Sequence, residues 1–205
     1  YHPELGWRTG WFEPDTYRHK DGGELAGRRP VLLFGDSFAR CTTPQVDCFE
    51  GLLDRSPLGR THLVLNYGVH AYGLDQICML AQRALPRWLP MDPIVVIGIF
   101  VDDDLDRAML DYRGWPKPRL VRGAGGLVAE PRPVPSAEEY VREHPVTTPS
   151  YLWRWFLHGN PLMPEGLRGL LTGERSRRLA KARLARDLLR ELDADLTAQG
   201  VEHFV

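Results

Sequence analysis

The feature that most constrains the fold is a short apolar run, Pro30–Phe34, which ends abruptly at Gly35, Asp36 and Ser37. A run of this length, bounded by proline and glycine and free of polar residues, is typical of a buried parallel strand. Such a strand carries Ser37 to the carboxyl edge of its sheet, where open α/β sheets bind ligands. A hydroxyl on that turn can reach a substrate as a nucleophile. The alternative is that Asp36 and Ser37 only cap a helix that follows the strand.

The order of strand then helix repeats along the chain. Thr61–Gly68 and Pro93–Val101 are predicted as the second and third strands. Between them, apolar residues spaced by three and four over Leu74–Leu89 predict an amphipathic helix. A long surface helix is predicted over Glu174–Gln199, and Gly200–Val205 resembles the beginning of another strand. Strands that alternate with helices imply a parallel sheet with right-handed crossovers.

Residues 105–172 interrupt this alternation, and we interpret them as an insertion into a single domain that spans residues 1–205. Arg119–Val121 and Leu127–Val128, with glycines between them, predict a β-hairpin. The aromatic segment Tyr151–Leu157 predicts a short helix. An insertion after the third strand can line or cover a binding cleft, or it can be a locally packed excursion, and the sequence leaves both open.

Composition excludes several classes of function. The 205 residues are 43% hydrophobic and 26% charged, which fits a globular domain with a substantial core. The formal net charge of −1 lacks the basic character that nucleic-acid binding requires, so we expect no nucleic-acid partner. The longest apolar run, Ile94–Val101, is far shorter than the roughly 20 residues that cross a bilayer, so we expect no membrane span.

The cysteine count argues against a metal or disulfide framework. The sequence has three cysteines, Cys41, Cys48 and Cys78. This number is odd, and no two of them form a Cys-x-x-Cys pair. We interpret them mainly as small core residues and leave a Cys41–Cys48 pair open.

Three sequence blocks carry a family resemblance: Leu33–Ala39 after the first strand, Asn66–Gln76 after the second, and Phe100–Leu105 after the third. In this order they resemble the SGNH hydrolase superfamily, the GDSL-like lipases and esterases, over roughly residues 28–112. The resemblance implies a three-layer α/β/α sandwich with a parallel flavodoxin-like sheet. It implies a serine ester hydrolase that acts on a small acyl ester, such as an O-acetyl group of a carbohydrate, and needs no cofactor.

The two ends of the sequence add an expectation about the whole protein. The sequence opens on Tyr1 rather than methionine, and it closes within a predicted strand. We therefore expect that a signal or anchor segment was removed upstream and that the sheet is truncated at its C-terminus. Many proteins of the resembled type work outside the cytoplasm, which suits an extracytoplasmic or membrane-anchored location.

The resemblance assigns roles to individual residues. Ser37 is the implied nucleophile, which forms an acyl-enzyme and holds the oxyanion with its own backbone N–H. Asp36 orients the turn and is not assigned as the base. The family's base is a histidine in a late Asp-x-x-His motif, and this chain contains no such motif, so we expect the base to lie beyond Val205. His70 and Gly73, in the loop after the second strand, are weak candidates for contact with substrate.

Two positions depart from the family in the predicted oxyanion hole. Alignment from Asn66 places Ala71 where the family has a glycine whose N–H faces the oxyanion. Alanine retains that N–H, but it adopts a positive φ only at a cost. The family's Asn-Asp pair is replaced by Asp103 and Asp104, and an ionised Asp103 cannot donate a hydrogen bond. Asp104 remains a supporting residue.

The same acids support two alternatives. Asp36 and the acids of Asp102–Asp106 follow the first and third strands, and if these strands are neighbours their oxygens can bind Mg²⁺ or Ca²⁺ in a metal-dependent phosphoester hydrolase. An acid at the asparagine position and a missing histidine also suit an SGNH-like domain that binds an acylated carbohydrate or a partner protein without turnover.

Overall fold

A computed structural model describes residues 1–7, 25–41, 43, 47–145, 152, 155–156, 162, 164 and 173–205. The protein is a mixed α/β structure around a four-stranded parallel sheet of order β2-β1-β3-β6. The elements in chain order are β1 (Arg29–Gly35), α1 (Ser37–Arg40), α2 (Phe49–Asp54), β2 (His62–Gly68), α3 (Leu74–Ala84), β3 (Ile94–Ile97), α4 (Val101–Ala108), β4 (Arg119–Gly123), β5 (Gly126–Glu130), α5 (Ala137–Glu143), α6 (Glu174–Ala198) and β6 (Glu202–Phe204).

One face of the sheet is fully buried. Side chains alternate between faces along a strand, so Leu32 and Phe34 of β1 lie on the same face. They pack with their neighbours in β2 and β3 and with the apolar residues of α3 and α6 in one core. Phe34 stacks on Tyr67 of β2, with ring centroids 4.7 Å apart. Helices α3 and α6 therefore form one outer layer.

Among the described residues, the opposite face of the sheet is covered only in part. Val31, Leu33, Val64 and Val96 point to it, and each is half-buried. Over β2, helix α2 provides cover, since Asn66 donates a hydrogen bond to Glu50 of that helix at 3.1 Å. The described residues thus give the sheet one complete helical layer and one partial layer.

Two predicted elements are shorter in the structure. The predicted third strand reaches Val101, but β3 ends at Ile97 and α4 begins at Val101. The predicted helix over Leu74–Leu89 ends as α3 at Ala84, and two 3₁₀ turns follow. Prolines inside those turns lack the N–H that an α-helix requires. The predicted final strand is present as β6, parallel to β3.

The predicted hairpin is present, as β4 and β5 pair in antiparallel register. A buried ion pair fixes the segment that leads into it. Lys117 Nζ donates to Asp75 Oδ2 of α3 at 2.6 Å and to the carbonyls of Leu110 and Pro118, each at 2.9 Å. All three ammonium donors are therefore used inside the core. The predicted aromatic helix, Tyr151–Leu157, falls largely outside the described residues.

The cysteines differ from the interpretation as three core residues. Cys41 and Cys48 form a disulfide that joins the end of α1 to the beginning of α2. The sequence left this pair open. Cys78 is free and buried, and its burial raises the pKa of its thiol to about 12. Cys48 and Cys78 are both buried, so the interpretation as core residues is confirmed for these two.

Candidate active site

Ser37 lies at the carboxyl edge of the sheet, where the sequence places it. It is the first residue of α1, directly after β1, and it is half-buried. Asp36 caps this helix by accepting the Phe38 N–H at 2.8 Å. The Ser37 hydroxyl donates to Asp36 Oδ2 at 3.3 Å. The capping interpretation and the nucleophile interpretation are therefore compatible, since Asp36 performs the cap and Ser37 is only half-buried.

Two glycines allow the close approach that positions α1. A Cβ atom on Gly35 would lie 2.6 Å from the Ala39 Cβ and 3.0 Å from the Gly98 carbonyl oxygen. A Cβ on Gly68, at the end of β2, would lie 2.2 Å from the Arg40 backbone nitrogen. Because neither position has room for a side chain, the turn that carries Ser37 fits tightly against the ends of β2 and β3.

Behind Ser37, one buried guanidinium joins the carboxylates of β1 and α4. Arg107 Nη1 donates to Asp36 Oδ2 and to Asp104 Oδ1, each at 3.0 Å, and Arg107 Nη2 donates to Asp103 Oδ2 at 2.5 Å. Strands β1 and β3 are neighbours, so the acids that follow them do converge, as the sequence suggested. The cation between them is the side chain of Arg107.

The members of this cluster differ in exposure and in charge state. Asp104 is fully buried, and its burial together with the nearby Asp36 carboxylate raises its pKa to about 7. The Phe100 N–H and Arg107 act in the opposite direction, because both favour the ionised carboxylate. Asp103 has 51% of its side chain exposed and accepts from Arg107. Asp103 therefore presents an acceptor rather than a donor.

Arg107 was missed in the sequence analysis, although the sequence contains a signal for it. Asp103 and Asp104 precede it by four and three residues on α4, the spacing at which helical side chains meet.

Among the described residues, no group of His, Cys, Asp and Glu side chains is arranged to hold a metal ion.

The loop after β2 lies beside the same edge. Ala71 adopts a φ of +63°, the left-handed conformation that costs an alanine about 1 to 2 kcal/mol. Gly73 packs against α4, since a Cβ there would lie 2.7 Å from the Ala108 nitrogen. The His70 side chain is exposed, and its carbonyl accepts from Trp7 Nε1 at 3.0 Å. The loop is thus held by its backbone and leaves the His70 ring in solvent.

No histidine contacts the Ser37 hydroxyl among the residues that the structure describes, and its hydrogen-bond partner is Asp36. A His–Asp pair does exist at the far edge of the sheet, where His203 Nε2 lies 2.8 Å from Asp193 Oδ1. His203 belongs to β6, which β3 separates from β1, so it lies about 10 Å away laterally. It is also in register with Val95 rather than with the strand ends, so it does not serve Ser37.

A cavity of about 440 Å³ opens beside Asp36 on the partly covered face of the sheet. Its floor is formed by the half-buried strand residues of that face, and its walls by α1, α2 and the segment 98–100. Phe38 and Phe100 stand at its rim with ring centroids 5.0 Å apart. The cavity is of ligand size, and almost all of its lining is apolar.

Comparison of the chain with protein-family models, with curated proteins and with solved structures finds no significant match. In the part of the chain that the structure describes, no helix has both the length and the apolar character needed to cross a bilayer.

Proposed function

We propose that the protein is a serine ester hydrolase of the SGNH or GDSL type, with Ser37 as the nucleophile of an acyl-enzyme. The observation that carries the proposal is the position of Ser37, which is half-buried and begins a helix at the carboxyl edge of the sheet after β1. The strand order β2-β1-β3-β6 supports a flavodoxin-like arrangement, in which ligands bind at this edge. The sequence blocks after the three strands support the family.

The proposed reaction proceeds through an acyl-enzyme. Ser37 Oγ attacks the ester carbonyl carbon and loses its proton to a base, and the carbonyl oxygen becomes an oxyanion. Collapse of the tetrahedral intermediate expels the alcohol, which takes up a proton. Water then releases the acid by the same two steps. The resembled family assigns the base to a late histidine.

Backbone donors are the best candidates for the oxyanion hole. The N–H groups of Ser37 and Ala71 make no hydrogen bond within the described residues, so both are available. Asp103 occupies the third position that the resemblance assigns, but it accepts from Arg107. Asp36 and Asp104 act as supporting residues that hold the turn and α4 together through Arg107.

The test is covalent labelling of the natural protein with a fluorophosphonate, together with p-nitrophenyl acetate turnover. The expected result is one adduct at Ser37 and loss of both signals in Ser37→Ala. Ser136→Ala is a matched control, because Ser136 also lies at a helix N-terminus but caps α5, outside the Ser37 site. Labelling that persists in Ser37→Ala contradicts the proposal.

Two alternatives are separated by the same assays. A binding domain of the SGNH type is favoured by the acceptor Asp103 and by the absence of a histidine partner for Ser37 among the described residues. It predicts a folded protein that neither labels nor turns over an ester. The metal-dependent phosphoester hydrolase predicts loss of activity with a chelator. The serine hydrolase predicts no change, since Arg107 already lies between Asp36 and Asp104.

A further inference from the structure

A second cavity lies outside the Ser37 site. Its volume is about 550 Å³, and its lining shares no described residue with that of the cavity beside Asp36. Its walls come from three parts of the insertion, namely the segment after α4, the open end of the β4–β5 hairpin with the prolines that follow it, and the end of α5. None of these residues takes part in the proposed ester hydrolysis.

The wall on α5 is aromatic and is held in place by a polar contact. The Tyr140 hydroxyl donates to Asp111 Oδ1 at 3.0 Å. The Tyr140 ring stacks with the rings of Tyr112 and His144, at centroid distances of 5.0 and 4.3 Å. The cavity thus has a flat ring surface against which the methylene groups of a ligand can pack.

The charged side chains of the lining are not used within the fold. Arg119, Glu130 and Glu143 are exposed, and among the described residues none of them has a hydrogen bond or an ion pair through its side chain. The Arg119 guanidinium lies close to Tyr140, because burial and Asp111 raise the pKa of the Tyr140 hydroxyl and Arg119 acts in the opposite direction. The cavity therefore offers one guanidinium and two carboxylates to a ligand.

Arg119 and Glu130 are placed to bind two adjacent charges of opposite sign. They lie directly opposite each other in the register of β4 and β5, so their side chains share one face of the hairpin. Their Cα atoms are then about 4.5 to 5.5 Å apart. A guanidinium binds a carboxylate through two parallel hydrogen bonds, and a carboxylate accepts strong hydrogen bonds from an ammonium group. An α-amino acid carries both groups on the same carbon, so both can be bound here at once.

The remaining charges select the side chain of the ligand. Glu143 lies on α5, a different wall of the cavity from the hairpin. With Asp111, the lining contains three carboxylates, one guanidinium and the His144 imidazole, so it attracts a ligand of net positive charge. A neutral polyol would cover these charges without pairing them, and phosphate would meet more carboxylates than guanidinium groups. A basic amino acid has two cationic groups and one carboxylate, which match Glu130, Glu143 and Arg119.

We propose that this cavity is a binding site for a free basic α-amino acid. The α-carboxylate is bound by Arg119, the α-ammonium group by Glu130 and the side-chain cation by Glu143. The methylene groups of the ligand pack against the His144 ring and the proline rings of the lining. This site goes beyond the proposed ester hydrolysis and does not depend on it, because the two cavities share none of the described residues.

The test is isothermal titration calorimetry of the natural protein with L-lysine and with three analogues that each lack one charge. L-Lysinamide lacks the carboxylate, Nα-acetyl-L-lysine lacks the α-ammonium group, and L-norleucine lacks the side-chain cation. The expected result is that L-lysine binds and that each analogue binds about tenfold or more weakly. Binding of L-lysine should also weaken as sodium chloride is raised, because the contacts are exposed ion pairs.

Each analogue is matched to one variant. Arg119→Gln should bind L-lysine and L-lysinamide with similar affinity, because the carboxylate has lost its partner. Glu130→Gln should likewise not distinguish Nα-acetyl-L-lysine from L-lysine, and Glu143→Gln should not distinguish L-norleucine from L-lysine. Glu138→Gln is the control, since Glu138 is an exposed acid of α5 outside the lining and should leave every affinity within about twofold. All four positions are exposed, and circular dichroism with thermal unfolding establishes that each variant is folded.

Three results overturn the proposal. The first is no binding of L-lysine at concentrations up to about 10 mM, where even a site with a Kd near about 1 mM is mostly filled. The second is L-lysine binding that is unchanged when Arg119→Gln and Glu130→Gln are combined, which places the amino acid elsewhere. The third is tighter binding of D-glucose or of inorganic phosphate than of L-lysine, lost in Arg119→Gln, which assigns the cavity to a ligand without ammonium groups. None of these results alters the test of Ser37, which lies outside this cavity.

Discussion

The buried carboxyl of Asp104 makes a quantitative prediction about stability and pH. Its pKa is about 7 in the folded protein, above the usual value for an aspartate, because the side chain is fully buried and lies beside Asp36. The folded state therefore binds this proton more tightly than the unfolded state. A group of this kind stabilises the fold at low pH, and the stabilisation is lost as the pH rises through the folded pKa.

The magnitude follows from the two pKa values. With an unfolded pKa near 3.9 and a folded pKa of about 7, the contribution of Asp104 to the free energy of unfolding falls by about 2 to 3 kcal/mol between pH 5 and pH 8. Asp104→Asn removes this titration and keeps one oxygen, which can accept either from Arg107 or from the Phe100 N–H, so one of the two contacts is lost at every pH. Its stability should lack this component of the pH dependence.

The assay is urea unfolding of the natural protein and of Asp104→Asn at pH 5, 6, 7 and 8. The other titratable groups are common to both proteins, so they largely cancel when the two free energies are subtracted. The difference between the two proteins should change by about 2 to 3 kcal/mol over this range, in the direction that favours the natural protein at pH 5. A difference that stays constant within about 0.5 kcal/mol would contradict the prediction, because it would show that Asp104 has an ordinary pKa.

Three further predictions concern other parts of the molecule. Lys117→Met leaves the buried carboxylate of Asp75 without its cation and should cost about 3 to 5 kcal/mol in urea unfolding, most of which the double variant with Asp75→Asn should recover. Asp103→Asn places a donor at the asparagine position and should raise kcat/KM for p-nitrophenyl acetate about tenfold or more, whereas the exposed neighbour variant Asp102→Asn should change it little. Reduction of the disulfide Cys41–Cys48, which closes a loop of about eight residues, should lower the free energy of unfolding by about 2.5 kcal/mol, and an unchanged urea midpoint in dithiothreitol would contradict this.

The central strands were predictable because their sequence patterns are local. The apolar run before Gly35 and the apolar residues spaced by three and four over Leu74–Ala84 are both visible without knowledge of the tertiary fold. The structure has β1 and α3 at these places. The limits of the elements were less predictable. The segment from Gly98 to Val101 is apolar enough to continue a strand, but the chain turns there into α4, whose Phe100 N–H is bound by Asp104.

The cluster around Arg107 depends on contacts that no local pattern specifies. Asp36 and Asp104 follow β1 and β3. The sequence does not give the order of the strands in the sheet, so it did not show that these two strands are neighbours. The charge of the acids suggested a metal ion, because Arg107 was assigned to the insertion over residues 105–172 and not to a helix shared with Asp103 and Asp104. The disulfide Cys41–Cys48 was left open for a similar reason, as sequence spacing alone does not show that the two sulfur atoms meet.

The charge balance around Arg107 determines which groups can stabilise an oxyanion at Ser37. The carboxylates of Asp36, Asp103 and Asp104 all contact this single guanidinium, so its positive charge is already matched by carboxylates. A developing oxyanion would meet net negative charge on that side, and protonation of Asp104 near neutral pH removes only part of it. Stabilisation must then come from the backbone N–H groups of Ser37 and Ala71. Because a lost oxyanion donor costs about a hundred- to a thousandfold in rate, this arrangement predicts a slow esterase unless residue 103 becomes a donor.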